Sequence, residues 1–307
     1  MKTKKGGFLQ QIKDKRVVYL MLLPGLAFLI VTSVYPIFWI LRFMFYNYTS
    51  FGDFEFIGLQ NFVTLAKDEI FWKSFFNTIV YAFFKIILTM PISFALAYFL
   101  NTKIKGRTFF RSVFFLPTII SVSIMSMVFY LIFNPYNGSA NQILMSLGLI
   151  KAPINWYESS RAMGTILVVA VWGAVGNYMI YFLSGLQTIS SEVYESADLD
   201  GAVGWKRLWH ITLPMMAPII QMVVMLAITQ AFKDYETILV MTSGGPNNAT
   251  NVLYLYIYKL MFPMADAAGS SVQQYGYGAC VAFVTAIFVG IITALYLKWS
   301  AKMKETY

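Results

Sequence analysis

Long apolar runs, separated by short polar segments, form the main pattern along this chain. A helix that crosses the hydrocarbon layer of a membrane needs about 20 predominantly apolar residues. Six stretches meet this requirement, at residues 17–41, 75–100, 112–133, 162–186, 215–240 and 277–297. Prolines recur within them, and membrane helices tolerate proline where neighbouring groups satisfy the freed carbonyls. The pattern therefore predicts an all-α integral membrane protein with six transmembrane helices, some of them kinked.

Composition agrees with this interpretation. Of the 307 residues, 58% are hydrophobic and only 12% are charged, about half the charged share of soluble domains. The net charge of +9 comes from basic residues at the ends of apolar runs, which indicates membrane anchoring and no nucleic-acid partner. A single cysteine and a single histidine argue against a disulfide framework or a metal cluster.

Lysine and arginine in short loops predict the orientation, because such residues concentrate on the cytoplasmic side. Three segments are basic: the N-terminus, with Lys2, Lys4, Lys5, Lys13, Lys15 and Arg16; the second loop, with Lys103, Lys105, Arg107 and Arg111; and the C-terminus, with Lys298, Lys302 and Lys304. The first, third and fifth loops are nearly neutral. We therefore expect both termini to be cytoplasmic in a multi-pass membrane protein, with the first helix as an uncleaved signal anchor.

No linker or low-complexity segment divides the chain. We expect a cytoplasmic N-terminus, first helix and outer loop at residues 1–74. A transmembrane domain is expected at 75–300, and a cytoplasmic tail at 301–307.

The fourth loop departs from the orientation rule. It should be cytoplasmic, yet it is acidic, with Glu192, Glu195, Asp198 and Asp200. Ser191 is a plausible N-cap of a helix that Gly201 would end in the left-handed conformation, and a second helix would run up to Pro214. A short helix outside the membrane with an acidic, small-residue surface suits docking to another protein.

This loop resembles the EAA motif of permease subunits in binding-protein-dependent ABC importers. That motif reads Glu-Ala-Ala, two residues, Asp-Gly-Ala, five residues, Phe, two residues, Ile, one residue, Leu-Pro. The matching positions are Glu195, Ala197, Asp200, Gly201, Ala202, Ile211, Leu213 and Pro214. Ser196 replaces Ala and Leu208 replaces Phe, both conservative changes.

Further segments resemble the carbohydrate-importing permeases, in particular the half typified by the larger maltose permease subunit. They are the Gly58 to Phe62 run, the Gly106 to Arg111 segment, and the Thr242 to Pro246 turn. The resemblance implies a type I importer permease fold in which Glu195, Ser196, Ala197, Asp200, Gly201 and Ala202 form a cytoplasmic coupling helix.

The resemblance also implies the partners. They are a second homologous permease, two ATPase subunits, an extracytoplasmic solute-binding protein, a sugar-like solute and the lipid bilayer. This chain has no glycine-rich phosphate-binding loop. We therefore expect it to bind no cofactor itself, while the partner ATPase uses ATP and magnesium.

The fifth predicted span carries a charged cluster. Charges at membrane depth are costly and usually face a cavity or one another. Gln230, Lys233 and Asp234 are therefore candidates for lining a solute pathway, as the matching helix does in the maltose system. The alternative is structural: Lys233 could pair with Glu236 one turn away, or extend its amine to the membrane surface.

The fourth predicted span carries Asn177, Tyr178 and Tyr181 near its middle. Amides and aromatic faces are typical of sugar sites, because a sugar ring offers both hydroxyls and an apolar C–H surface. The resemblance places Tyr178 at an aromatic position of the maltose pathway. Helix packing through interhelical hydrogen bonds is an equally open interpretation of these residues.

Two other functions remain possible at this point. An ion-coupled secondary transporter would predict inverted repeats and acidic residues in mid-span, and neither is clear. A membrane-embedded enzyme would need a metal cluster or a nucleophile with a base, which one histidine and one cysteine do not supply. The leading prediction is a non-catalytic permease subunit of an ATP-driven sugar importer.

Overall fold

The computed structural model describes residues 16–49, 54–102, 104–262 and 272–304. The basic N-terminal residues up to Lys15, Lys103 and residues 305–307 of the predicted tail lie outside this description, as do the side chains of Lys302 and Lys304. The described residues fall into two compact units. One lies within 1–66 and 260–283, the other within 67–259 and 284–307.

The first helical segment is continuous in direction but irregular in winding. It consists of α1 (Arg16–Leu29), a π-helical turn (Ile30–Val34), α2 (Tyr35–Leu41) and a 3-10 turn (Arg42–Phe45). Pro36 stands just after the π turn. Proline lacks an N–H and its ring crowds the carbonyl four residues earlier, so a wider turn at that place relieves the contact.

A small hairpin follows, with β1 (Tyr46–Tyr48) antiparallel to β2 (Phe54–Phe56) and Tyr46 opposite Phe56. The next helix is α3 (Gln60–Lys67). The Asn61 side chain donates to the carbonyls of Met44 and Tyr46 at 2.8 and 3.0 Å, and so holds the helix against the start of the hairpin.

The longest helix, α4 (Glu69–Asn101), begins six residues before the predicted second span. Asp68 caps it, because its carboxylate accepts from the backbone N–H groups of Ile70 and Phe71. In the same unit α4 packs along α8 (Ala162–Leu186), whose bounds equal those of the predicted fourth span. The Ser93 hydroxyl joins the two helices by donating to the Val175 carbonyl at 3.0 Å.

The third predicted span is not a single kinked helix. It is broken into α5 (Arg107–Ile119) and α6 (Val122–Ile132), whose axes differ by 96°. Ile120 and Ser121 are extended there, and Pro117 lies just before the break. The expectation of a kink alone is therefore wrong, because two extended residues interrupt the helix. A short helix, α7 (Ser139–Ser146), follows in the third loop.

The fourth loop forms α9 (Ser191–Leu199), with Ser190 and not Ser191 at the cap position. After two glycines the chain continues through α10 (Trp205–Arg207), a π turn (Leu208–Thr212) and α11 (Leu213–Lys233). The prediction that the second helix stops at Pro214 is wrong. The π turn again precedes the proline and lets the helix run on into the membrane.

The last helices are α12 (Glu236–Thr242), α13 (Leu253–Met261) and α14 (Tyr275–Lys304). The predicted fifth span is thus interrupted between Lys233 and Glu236. Within the described residues, five helical stretches are long and apolar enough to cross a membrane, and six if the bent pair α5–α6 counts as one span. This number agrees with the six predicted spans.

Candidate functional site

A cavity of about 460 Å³ opens within the second unit. Its walls come from the middle of α4, the α5–α6 bend, the middle of α8 and the interruption between α11 and α12. The lining residues are Lys85, Phe115, Pro117, Thr118, Ile120, Val122, Met125, Ala170, Gly173, Ala174, Asn177, Tyr178, Gln230, Lys233, Asp234, Tyr235, Glu236 and Thr237. Charged and amide groups thus share one space with apolar side chains, as is usual in small-molecule sites.

The fold brings most of the predicted pathway residues to this one cavity. Asn177 and Tyr178 of α8 line it together with Gln230, Lys233 and Asp234 from the end of α11. Tyr181 is not among the lining residues, although it follows Asn177 by one helical turn.

Asp234 is held by residues from α4. Its Oδ2 atom accepts hydrogen bonds from the Tyr81 hydroxyl, at 2.6 Å, and from the Lys85 ammonium, with which it forms an ion pair. The Lys85 and Asp234 side chains are only 12% and 15% exposed, and Tyr81 is fully buried. These contacts connect two segments that are 149 positions apart in the chain.

The alternative pairing of Lys233 with Glu236 does not occur. Lys233 ends α11, Asp234 is extended with ψ 122°, and Glu236 begins α12. The two side chains are therefore not on consecutive turns of one helix, and no ion pair joins them among the described residues. Both are exposed and line the cavity.

The helix interruption at Asp234 is caused by contacts with α4 and not by the residues next to Asp234 in the sequence. No glycine or proline stands at this point, and aspartate is only a weak helix breaker. The ion pair with Lys85 and the hydrogen bond from Tyr81 hold the carboxylate toward α4. Irregular backbone at membrane depth is tolerated where it lines a cavity, which is the case here.

Lys85 and Tyr81 are the residues that sequence reasoning missed. A signal for Lys85 was present, since it is a lone cation in the middle of an apolar run and such residues are usually functional. Tyr81 gave no signal, because nothing in the sequence around a tyrosine tells whether its hydroxyl meets a carboxylate.

The second candidate site is the loop around α9. The Ala202 N–H donates to the Ala197 carbonyl at 2.8 Å, and the Gly201 N–H donates to the Asp198 carbonyl at 3.1 Å. With Gly201 at φ 71°, this is the Schellman pattern that ends helices. The predicted left-handed glycine is confirmed.

An ion pair between Asp198 and Arg207 ties α9 to α10. The Arg207 guanidinium also lies 5.7 Å from the centre of the Tyr194 ring. Within the described chain, the residue that forms an ion pair in this loop is Asp198, while Glu195 and Asp200 are exposed.

Of the six residues assigned to the coupling helix, Ala197 is buried and Ala202 is half-buried. The other four, Glu195, Ser196, Asp200 and Gly201, are exposed. Next to them Leu199 is 90% exposed. The loop therefore presents an acidic surface together with exposed apolar side chains, namely Leu199, Val203 and Trp205.

Several membrane-length helices around a polar cavity, together with an exposed helical loop, define a membrane transport protein. Residues 63–304 match the family described as binding-protein-dependent transport system inner membrane component. This match covers more than half of the chain, so the chain belongs to that family, and the predicted family is confirmed.

Curated relatives extend over nearly the whole chain. The probable ABC transporter permease protein YurN of Bacillus subtilis is 32% identical and covers 95% of this chain and 99% of its own. The arabinooligosaccharides transport system permease protein AraP of the same organism is also 32% identical, over 98% of this chain and 94% of its own. The multiple sugar-binding transport system permease protein MsmF of Streptococcus mutans is 31% identical, over 96% and 99%.

The fold resembles that of a solved bacterial ABC transporter involved in the import of the acidic polysaccharide alginate. The TM-score is 0.81 at 23% identity, with 97% of this chain and 99% of that chain covered. The chain is therefore a multi-pass, non-catalytic permease subunit of an ABC importer, and the predicted helical type I permease fold is confirmed, with one small hairpin added to it.

Proposed function

We propose that this chain forms half of a translocation pathway for a sugar or sugar-like solute, which a solute-binding protein delivers from outside. The observation that carries the proposal is the cavity, where Asn177, Tyr178 and Gln230 supply amide and hydroxyl groups beside Asp234. Such groups match a hydroxyl-rich solute, because each buried hydroxyl needs a partner. The printed names of AraP and MsmF, which refer to sugars, support this solute class.

The pathway residues of this proposal are Asn177, Tyr178, Gln230, Lys233 and Asp234. Tyr181 has less support, because the cavity does not include it. The other half of the pathway would come from a second, homologous permease subunit, with the two related by a pseudo-two-fold axis.

The loop around α9 would dock on one of two cytoplasmic ATPase subunits, which hydrolyse ATP with magnesium. Glu195, Ser196 and Asp200 would form the polar part of this surface, and Gly201 would set its turn. The exposure of Leu199 supports docking, because interfaces combine an apolar centre with a polar rim. Both termini would be cytoplasmic, in the inner membrane of a bacterium.

Purification of the intact complex tests the assembly. The tagged chain, expressed with the genes that neighbour it, should retain a second permease, an ATPase and a binding protein through affinity and size-exclusion steps. A stable homodimer that transports with the ATPase and binding protein alone would contradict the heterodimer.

Uptake by the reconstituted complex tests the solute site. Asn177→Ala should lower the maximal uptake rate and solute-stimulated ATP hydrolysis by roughly five- to 150-fold, since a solute hydroxyl loses its partner. The ATPase should stay bound. Ser184→Ala, on the same helix but outside the cavity lining, is the matched control. If each of the single variants Asn177→Ala, Tyr178→Ala and Asp234→Ala takes up solute normally, other residues must line the pathway.

A further inference from the structure

Lys85 lies at the midpoint of α4, a helix of 33 residues. At 1.5 Å per residue it is about 24 Å from either end, so its ammonium is at membrane depth. Moving such a charge out of water is expensive unless an opposite charge and hydrogen bonds compensate it. Asp234 supplies that compensation, and Tyr81 adds its hydroxyl to the same carboxylate oxygen.

The arrangement leaves one oxygen of Asp234 available. Both contacts from α4 go to Oδ2, and within the described residues Oδ1 has no hydrogen-bond donor. Asp234 lines the cavity, so this carboxylate is positioned to accept a hydrogen bond there. A hydrogen bond to an ionised group is roughly twice as strong as one between neutral groups.

Charge balance indicates which kind of solute this site prefers. The cavity lining of this chain contains two cations, Lys85 and Lys233, and two anions, Asp234 and Glu236. Their formal charges cancel. An anionic solute would lose its hydration without a net positive charge to replace it, whereas an uncharged solute that is rich in hydroxyls would meet charge-assisted acceptors.

We propose that Lys85 and Tyr81 are positioning residues of the solute pathway, which keep Asp234 ionised and direct its free oxygen to a hydroxyl group of an uncharged solute. This inference rests on the proposed pathway and adds to it the residues that orient Asp234 and the charge class of the solute. Lys85 and Tyr81 act through Asp234.

Infrared spectroscopy of the purified, membrane-reconstituted chain tests the ionisation without any solute. The difference spectrum between the wild type and Asp234→Asn should contain the bands of an ionised carboxylate. In a Lys85→Met background, the same Asp234→Asn difference should instead contain the carbonyl band of a protonated carboxylic acid. A protonated Asp234 in the wild type, or an ionised one in Lys85→Met, would refute the role of Lys85.

Uptake by the complete complex in proteoliposomes tests whether Lys85 and Tyr81 are needed for transport. The probes are maltotriose, raffinose, arabinotriose and trigalacturonate. Lys85→Met should lower maximal uptake of the transported neutral sugar about 10- to 150-fold, as expected for a lost charge-assisted hydrogen bond. Lys85→Arg should retain most of it. Tyr81→Phe should reduce uptake, while Tyr98→Phe, on the same helix but without a hydrogen bond to Asp234, should not.

The double variant Lys85→Met with Asp234→Asn distinguishes an ion pair that positions Asp234 for the solute from one that only stabilises the fold. It contains no unpaired buried charge, so it should unfold at about the wild-type temperature, yet its uptake should stay low. Full recovery of uptake in the double variant would mean that the ion pair is structural only.

Two further outcomes of the uptake assay would contradict part of the proposal. Uptake of trigalacturonate at the rate of a neutral sugar would contradict the charge class. If an assembled, ATP-hydrolysing complex takes up none of the four probes, the carbohydrate part of the proposed function fails, and the infrared result alone decides the role of Lys85.

Discussion

At the scale of single residues, individual side chains, or the lack of one, determine where the backbone leaves the regular helix. Asp234 lies at the interruption between α11 and α12 and is held by Lys85 and Tyr81. Gly201 lies at the end of α9 with φ 71°. At both places a side-chain or backbone property of one residue determines the direction of the chain.

Replacement of Gly201 tests the turn after α9. A Cβ at this position would meet no atom within 4 Å, so Gly201→Val introduces conformational strain and no clash. We expect a cost of roughly 1 kcal/mol or more, because a β-branched residue disfavours positive φ. Membrane insertion should remain normal, while transport falls and the ATPase co-purifies poorly.

The control for this change is Gly201→Asn, because asparagine tolerates the left-handed conformation. It should retain most ATPase binding and transport. A second variant, Glu195→Lys, should weaken ATPase binding by reversing a charge on the exposed surface. If Gly201→Val and Glu195→Lys both bound the ATPase normally, the docking assignment would be wrong.

At the scale of elements, close helix packing shapes the cavity. The α5–α6 bend and the middle of α8 form two of its walls. At Gly176 of α8 an added Cβ would lie 2.1 Å from the backbone oxygen of Phe114 in α5. Only glycine permits this approach, and backbone atoms cannot move aside as a flexible side chain could.

Gly176→Ala should therefore separate α5 from α8. Overpacking of this kind costs about 1–3 kcal/mol. The thermal unfolding temperature of the purified chain should fall, and uptake should fall with it because the cavity wall moves. Gly164→Ala on the same helix, where nothing lies within 4 Å of the new Cβ, should unfold like the wild type. Equal unfolding temperatures for both variants would contradict the close approach of α5 to α8 at Gly176.

At the scale of the whole molecule, basic segments alternate with nearly neutral ones along six spans, except at the acidic fourth loop. The second loop retains Lys105, Arg107 and Arg111 among the described residues, and the third loop is nearly neutral between α6 and α8. This distribution predicts that the second loop faces the cytoplasm.

Cysteine labelling checks this orientation. In a Cys280→Ala background, which removes a buried thiol, single cysteines at Lys105 and Asn137 report on the second and third loops. Both positions are exposed. A membrane-impermeant maleimide should label Asn137→Cys in intact cells, and Lys105→Cys only after the membrane is opened. The reverse pattern would contradict the orientation.

The sequence by itself determined the number of spans, the family and the helical character of the fourth loop. Hydropathy and loop motifs are properties of consecutive residues, so the apolar runs and the 195–202 segment can be identified without a fold. The left-handed glycine belongs to this group, because its conformation depends on its own missing side chain and on the helix before it.

Only the tertiary structure decided which residues line the cavity. The 96° break between α5 and α6 and the interruption at Asp234 lie inside apolar runs that look continuous in sequence. Lys85 and Asp234 are 149 positions apart, and several charged residues were available to each as partners. Hydropathy gives the depth of a charge in the membrane but not its neighbour, because helix packing brings the two together.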